Sequence, residues 1–134
     1  MLLPQVKLAL RSCHLLLIYM GDLERYVTCL QQNDDHSKAQ ICYKQAQMLA
    51  PKNGKSYNQL AVVAVLTKRK LDAVYYYCRS LLASNPIWTA KDRLTSIFHE
   101  IEKKVWVSWN PPISEKKQLV SCLHTHRCKK GPAM

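Results

Sequence analysis

Ala39-Gln40-Ile41-Cys42-Tyr43-Lys44-Gln45-Ala46, with Pro51 after it, returns thirty-four residues later as Ala73-Val74-Tyr75-Tyr76-Tyr77-Cys78-Arg79-Ser80, with Asn85-Pro86 after it. Ala39 matches Ala73, Tyr43 matches Tyr77, and the small Ala46 matches Ser80. That period belongs to tetratricopeptide arrays, in which each unit is a pair of antiparallel helices. Between the copies lie Tyr57, Leu60 and Ala61, a large-large-small triplet whose small member lets two helix backbones approach.

Leu17, Met20 and Gly21 repeat that triplet forty residues upstream, six more than the period. The surplus sits in Gln31 to His36, a polar run that reads as a lengthened loop. A first helix is predicted from Val6 to about Leu30, with Cys13, Leu16, Leu17 and Met20 as its packing stripe. The next helix, capped by Asp35 or Ser37, runs to about Ala50 and ends at the Pro51-Lys52-Asn53-Gly54 turn. Ser56 to Lys68 and Leu71 to Ser84 form the second pair, joined at Lys68-Arg69-Lys70 and stopped at Asn85-Pro86.

A last helix, roughly Ala90 to Lys104, carries Leu94, Ile97, Phe98 and Ile101 on one face, as a capping helix does. The repeat unit therefore covers residues 6–104. Residues 105–134, with Trp106, Trp109, Pro111-Pro112 and no helical period, read as a disordered basic tail. Equivalent repeat positions must bury equivalently, so Ala39, Tyr43, Ala46, Tyr57, Leu60, Ala61, Ala73 and Tyr77 are the predicted core.

Composition agrees with an all-α fold of tetratricopeptide-like hairpins. A length of 134 residues suits one domain, 48% hydrophobic residues can fill a core, and three Gly with one Phe argue against a turn-rich sandwich. The formal charge of +11 favours anionic partners: nucleic acid, anionic membrane or a phosphorylated protein. Five of the twenty basic residues fall in the last thirty positions, beside the single acid Glu115.

Six cysteines (Cys13, Cys29, Cys42, Cys78, Cys122, Cys128) show no disulfide framework, and the first four lie in helical patterns as small hydrophobes, which suits a reducing compartment. Leu8 to Met20 is apolar but short and interrupted by Arg11 and His14, so neither a membrane span nor a secretory signal is expected. The expectation is a soluble intracellular chain with no membrane partner.

First helices of such arrays line the concave face, where a ligand binds. Ile18, Asp22, Arg25 and Tyr26 are predicted on that side of the first helix, and Lys55, Asn58, Val62 and Val65 on that side of the third. A guanidinium forks onto phosphate oxygens, an amide clamps an extended peptide backbone, and an ammonium adds point charge. Lys68, Arg69, Lys70 and Arg79 could touch nucleic-acid phosphates, although a basic turn is more often a solvated loop. Tyr75-Tyr76-Tyr77 reads as packing rather than as a base-stacking platform.

Cys122, His124, His126 and Cys128 carry zinc-binding atoms, but their alternate spacing does not suit a compact tetrahedral site, so no metal and no cofactor are expected. No Gly-rich phosphate loop, nucleophile triad or carboxylate pair in an apolar setting appears. The chain is read as an interaction module rather than an enzyme.

Three runs in order, Gly21-Asp22-Leu23-Glu24-Arg25-Tyr26, then Ala50 to Ala61 (Ala50-Pro51-Lys52-Asn53-Gly54-Lys55-Ser56-Tyr57-Asn58-Gln59-Leu60-Ala61), then Arg69 to Leu81, resemble the Est-type, 14-3-3-like domain of the Smg proteins. These are telomerase-associated and nonsense-mediated mRNA decay factors, and the last run is most similar to the endonuclease-bearing member. The resemblance covers roughly Cys13 to Lys104. It implies a groove that reads phosphorylated tails of the Upf helicase, possible association with related Smg proteins, and residence in cytoplasm and nucleus. In 14-3-3 proteins a Gly-Asp-x-x-Arg-Tyr run supplies the phosphate-contacting Arg and Tyr; here it matches Gly21, Asp22, Arg25 and Tyr26.

The departures matter too. The family domain starts further upstream, with helices that bring more basic residues to the pocket, and it carries a carboxyl-terminal nuclease with metal-binding carboxylates. Neither is seen in this chain, and Lys55-Ser56 stands where the family commonly has Arg-Pro. The reading is therefore a fragment: a phosphopeptide-binding module without nuclease activity. Its rivals are an Est-type DNA or RNA binder, acting on RNA or telomeric DNA through the basic loop and tail, and a non-functional truncated product.

Overall fold

Local backbone chemistry closes the first and third helices, and a computed structural model describes residues 2–110. Among the described residues there are five helices: α1 (Leu2–Leu30), α2 (Ser37–Leu49), α3 (Gly54–Leu66), α4 (Lys70–Leu81) and α5 (Thr89–Trp109). α1 and α3 both end in a non-Gly residue of left-handed conformation, Gln32 at φ 51° and Lys68 at φ 60°. The reversed chain then bonds back, from Asn33 N–H to the Thr28 carbonyl at 3.1 Å and from Arg69 N–H to the Ala64 carbonyl at 2.8 Å. Before α2, the Asp35 carboxylate accepts from the Ser37 N–H at 3.0 Å; before α3, the Asn53 side chain caps by accepting from the Lys55 N–H at 3.0 Å.

The two repeats are clipped together at their turns. Gly54 N–H donates to the Asn85 carbonyl at 2.9 Å and Asn85 N–H to the Lys52 carbonyl at 3.1 Å. Gly54 is needed for space: a Cβ there would lie 2.5 Å from the Ser80 carbonyl oxygen. Ser80, which stands where the first repeat has Ala46, uses its hydroxyl to donate to the Gly54 carbonyl at 2.8 Å.

All eight predicted core residues are buried. α3 stands between two clusters: Leu60 and Val63 join Ile18, Ala39, Tyr43 and Ala46, while Ala61 and Ala64 join Ala73, Tyr77, Ala90 and Ile97. Tyr76 packs against both, and Tyr75 stays exposed with its ring edge-on to Tyr76 at 5.3 Å.

Three expectations change. On α1 the packing face is His14, Ile18, Gly21 and Thr28, with Leu17 half-buried, whereas Cys13, Leu16 and Met20 are exposed. Ile18, expected to face a ligand, is fully buried. The helix turns this way because Gly21 takes the ring of Tyr43 against its backbone, and no larger residue on α1 could. The third change concerns α5, which runs five residues beyond Lys104 to Trp109.

Contacts divide the chain after Ile97. Ala90, Leu94 and Ile97 pack on the repeats, while Phe98, Val105, Trp106 and Trp109 are exposed. The Cys122 to Cys128 cluster and the rest of the tail from Pro111 lie outside the described residues. Among the described residues, no helix is long and apolar enough to cross a membrane.

Candidate functional site

Polar chemistry converges where α1 faces α2 and α3. Asp22 Oδ1 accepts from the Tyr43 hydroxyl at 2.6 Å, from Gln59 Nε2 at 2.7 Å and from Arg25 Nη2 at 3.4 Å. One carboxylate oxygen thus joins three helices. Arg25 is further held by its Nε, which donates to the Tyr43 hydroxyl at 3.3 Å, and its guanidinium lies over the Tyr26 ring, 4.5 Å from the centroid.

The electrostatics follow from this geometry. Burial works against the Arg25 charge, but bonds to Tyr43, Tyr26 and Asp22 outweigh it and hold the guanidinium firmly protonated. Burial, then the bond to Asp22, pushes the Tyr43 phenol well above its ordinary range, so it stays a donor. Arg25 therefore remains a fixed cation, with its side chain 13% exposed.

α1 and α3 run parallel along this site. Lys55 Nζ lies over the Tyr19 ring at 5.3 Å, and one turn further along both helices Gln59 meets Asp22. Asn58, beside Gln59, has its Oδ1 buried with no hydrogen-bond partner. Arg25, Tyr26 and Asp22 are thus brought together on α1, and the Asp22 to Gln59 bond ties their turn to the α3 turn that carries Asn58. Lys55 sits one turn earlier on α3.

Two residues here were not singled out from the sequence. Gln59 shares a face with Lys55 by its four-residue spacing, which is the signal that could have found it. His14 is 1% exposed with Nε2 unpartnered, and burial, then the nearby Lys55 charge, lowers its basicity. Its environment comes from another helix, so nothing local in the sequence marks it.

The basic residues are not assembled in the same way. Lys68, Arg69 and Lys70 sit at the α3–α4 turn, where Arg69 pairs with Asp72 at 2.5 Å. Arg79 is nine residues along α4 from Lys70, about 13 Å at the helical rise. It donates to the Tyr57 hydroxyl at 3.0 Å and lies 5.1 Å from that ring's centroid. Among the described residues, no group of three or more His, Cys, Asp or Glu could hold a metal ion.

Comparison with known proteins identifies the family of the chain. The family model described as Est1 DNA/RNA binding domain matches residues 39–120. Telomerase-binding protein EST1A of Danio rerio is 54% identical over 99 residues, which is 74% of this chain and 6% of that protein. Nonsense-mediated mRNA decay factor SMG7 of Arabidopsis thaliana is 36% identical over 121 residues, 87% of this chain and 11% of that protein. SMG5 of Danio rerio is 28% identical over 122 residues, 86% of this chain and 11% of that protein. The chain thus spans about a tenth or less of each of these relatives. With the family model matching more than half of its residues, the chain belongs to the Est1 DNA/RNA binding domain family, whose relatives here are telomerase-binding and nonsense-mediated mRNA decay factors.

Proposed function

We propose that the α1–α3 face is a phosphopeptide-binding groove, with Arg25 and Tyr26 on the phosphate and Lys55 and Asn58 on the peptide beside it. The observation that carries this reading is the fixing of Arg25 by Asp22, Tyr43 and Tyr26. A guanidinium held rigid before binding loses little freedom when a dianion arrives, and a charge-assisted fork is the strong form of phosphate contact. Asp22 acts on Arg25 and not on the ligand, because its bonded oxygen already accepts from three donors. Asn58 Oδ1 is buried and unpaired, so it would accept from a peptide N–H once its side chain turned outward. The partner we propose is a phosphorylated helicase tail of the Upf type, met in cytoplasm or nucleus, with this chain acting as a binding module and not as an enzyme.

A second reading is direct binding of DNA or RNA, favoured by the family description and by the +11 charge. One titration separates the two. A labelled phosphoserine peptide and its unphosphorylated twin are compared with a single-stranded RNA, each at several salt concentrations. The groove reading expects the peptide to lose binding when its phosphate is removed. The nucleic-acid reading expects RNA affinity to fall steeply and linearly on a logarithmic salt scale, with little sequence preference. Equal affinity for the two peptides would exclude the phosphopeptide groove.

A further inference from the structure

The loop between α1 and α2, lengthened by six residues, plays no part in the Arg25 site, and its last three residues line a different cavity. Asp34, Asp35 and His36 line a space of about 270 Å³ shared with α2, α3 and α4. Its inner wall is apolar, made by the buried Leu60, Val63 and Ala64 with the ring of Tyr76. At roughly 30 Å³ for each water, the space equals about nine waters, room for one long side chain. Lys44, Arg69 and Asp72 complete the rim.

The charges select a cation. Three of the chain's nine acidic residues meet at this rim, in a protein whose balance is +11. Arg69 and Asp72 neutralise one another, which leaves Asp34 and Asp35 on the rim with Lys44, while Lys38, outside the lining, also acts on Asp35. His36 is 7% exposed, and its Nδ1 has no hydrogen-bond partner. A buried polar atom of this kind calls for a partner, and beside carboxylates the group that satisfies both is rich in donors. The overall positive charge opposes such a partner only weakly at contact, because screening over about 8 Å leaves the nearest carboxylates to decide.

We propose that this cavity docks an arginine side chain of a partner protein. The guanidinium donates to Asp34, Asp35 and the His36 Nδ1, and its methylene stem lies along Leu60, Val63 and Tyr76. Arginine suits the site better than lysine because its five donors are fixed in a plane that can serve several acceptors at once and lie against an aromatic ring. The proposal does not depend on the Arg25 groove.

The test is a two-dimensional NMR titration of the isotope-labelled 134-residue chain with a blocked pentapeptide bearing one central arginine. Its controls are the same peptide with citrulline, which keeps the shape and removes the charge, and inorganic phosphate. The expected result is saturable shifts of the amides of residues 34–37 and 67–72, with at least tenfold weaker binding of the citrulline peptide. Asp34→Lys, at an exposed position, is expected to weaken the arginine peptide at least fivefold while helicity stays unchanged. Absence of saturable shifts at these amides, equal binding of the citrulline peptide, or full affinity in Asp34→Lys would each overturn the proposal. So would inorganic phosphate shifting the same amides, which would make the cavity an anion site.

Discussion

Tyr43 on α2 donates its hydroxyl hydrogen to Asp22 on α1 at 2.6 Å, and the same Tyr43 presses its ring against the backbone of Gly21. The repeat's core tyrosine therefore both sets the register of α1 and orients the carboxylate that holds Arg25. Tyr43→Phe keeps the ring and removes the hydroxyl. Asp22 keeps Gln59 and Arg25 as donors, so the cost should sit at the low end for bonds to a charged group, about 1.5 kcal/mol. Urea melts of the two proteins measure it; an unchanged midpoint would mean that the bond contributes nothing net.

Gly21→Ala tests the register directly. Alanine favours a helix over glycine by about 1 kcal/mol, yet a Cβ here would lie 2.5 Å from Tyr43 Cε1. The clash involves a buried ring that cannot swing away, so overpacking should win and destabilise by about 1 to 3 kcal/mol. A stabilised variant would show that α1 does not pack on Tyr43.

His14 makes stability depend on pH. Its basicity is lowered in the folded state, first by burial and then by Lys55, from an ordinary value of 6.5. The unfolded chain therefore takes up a proton before the folded chain does. The contribution is intact above about pH 6.5 and is lost progressively as pH falls toward the lower folded value. His14→Leu should flatten the fall in melting temperature below pH 6.5 relative to the parent; parallel curves would show that His14 titrates normally.

Arg25→Ala should weaken a phosphoserine peptide about tenfold or more, since a charge-assisted bond is worth roughly 1.5 to 3 kcal/mol. Arg25→Lys should recover only part, because an ammonium keeps the charge and loses the fork. Arg25 also bonds Tyr43, so the quantity to compare is the ratio of phosphorylated to unphosphorylated affinity in each protein, with folding checked by circular dichroism. A ratio unchanged in Arg25→Ala would remove Arg25 from the phosphate site.

Removing residues 105–134 should leave the melting midpoint of the repeat unit unchanged within error. Ile97 is the last residue of α5 in its buried clusters, and Val105, Trp106 and Trp109 are all exposed. A fall of several degrees would show that the removed segment supports the repeats.

The sequence by itself determined the helical pairs and their core, because a 34-residue period with Ala, Tyr and small residues at fixed places demands equivalent burial in each copy. It also determined the turns, since Pro51, Asn53 and Gly54 act through local backbone chemistry. It did not determine which face of α1 packs. Cys13, Leu16 and Met20 make a continuous apolar stripe, yet the buried face is His14, Ile18, Gly21 and Thr28, which mixes one large apolar residue with polar and small ones.

Only the tertiary structure decided that, and the reason is steric: one glycine admits a ring that no larger residue would. The same turn of the helix brought Asp22 and Arg25 against Tyr43 and Gln59, up to 37 residues away in the chain. Periodicity records how often a residue is buried against something. It carries no information on which polar atom from another helix will meet it, and that is what assembles the Arg25 site.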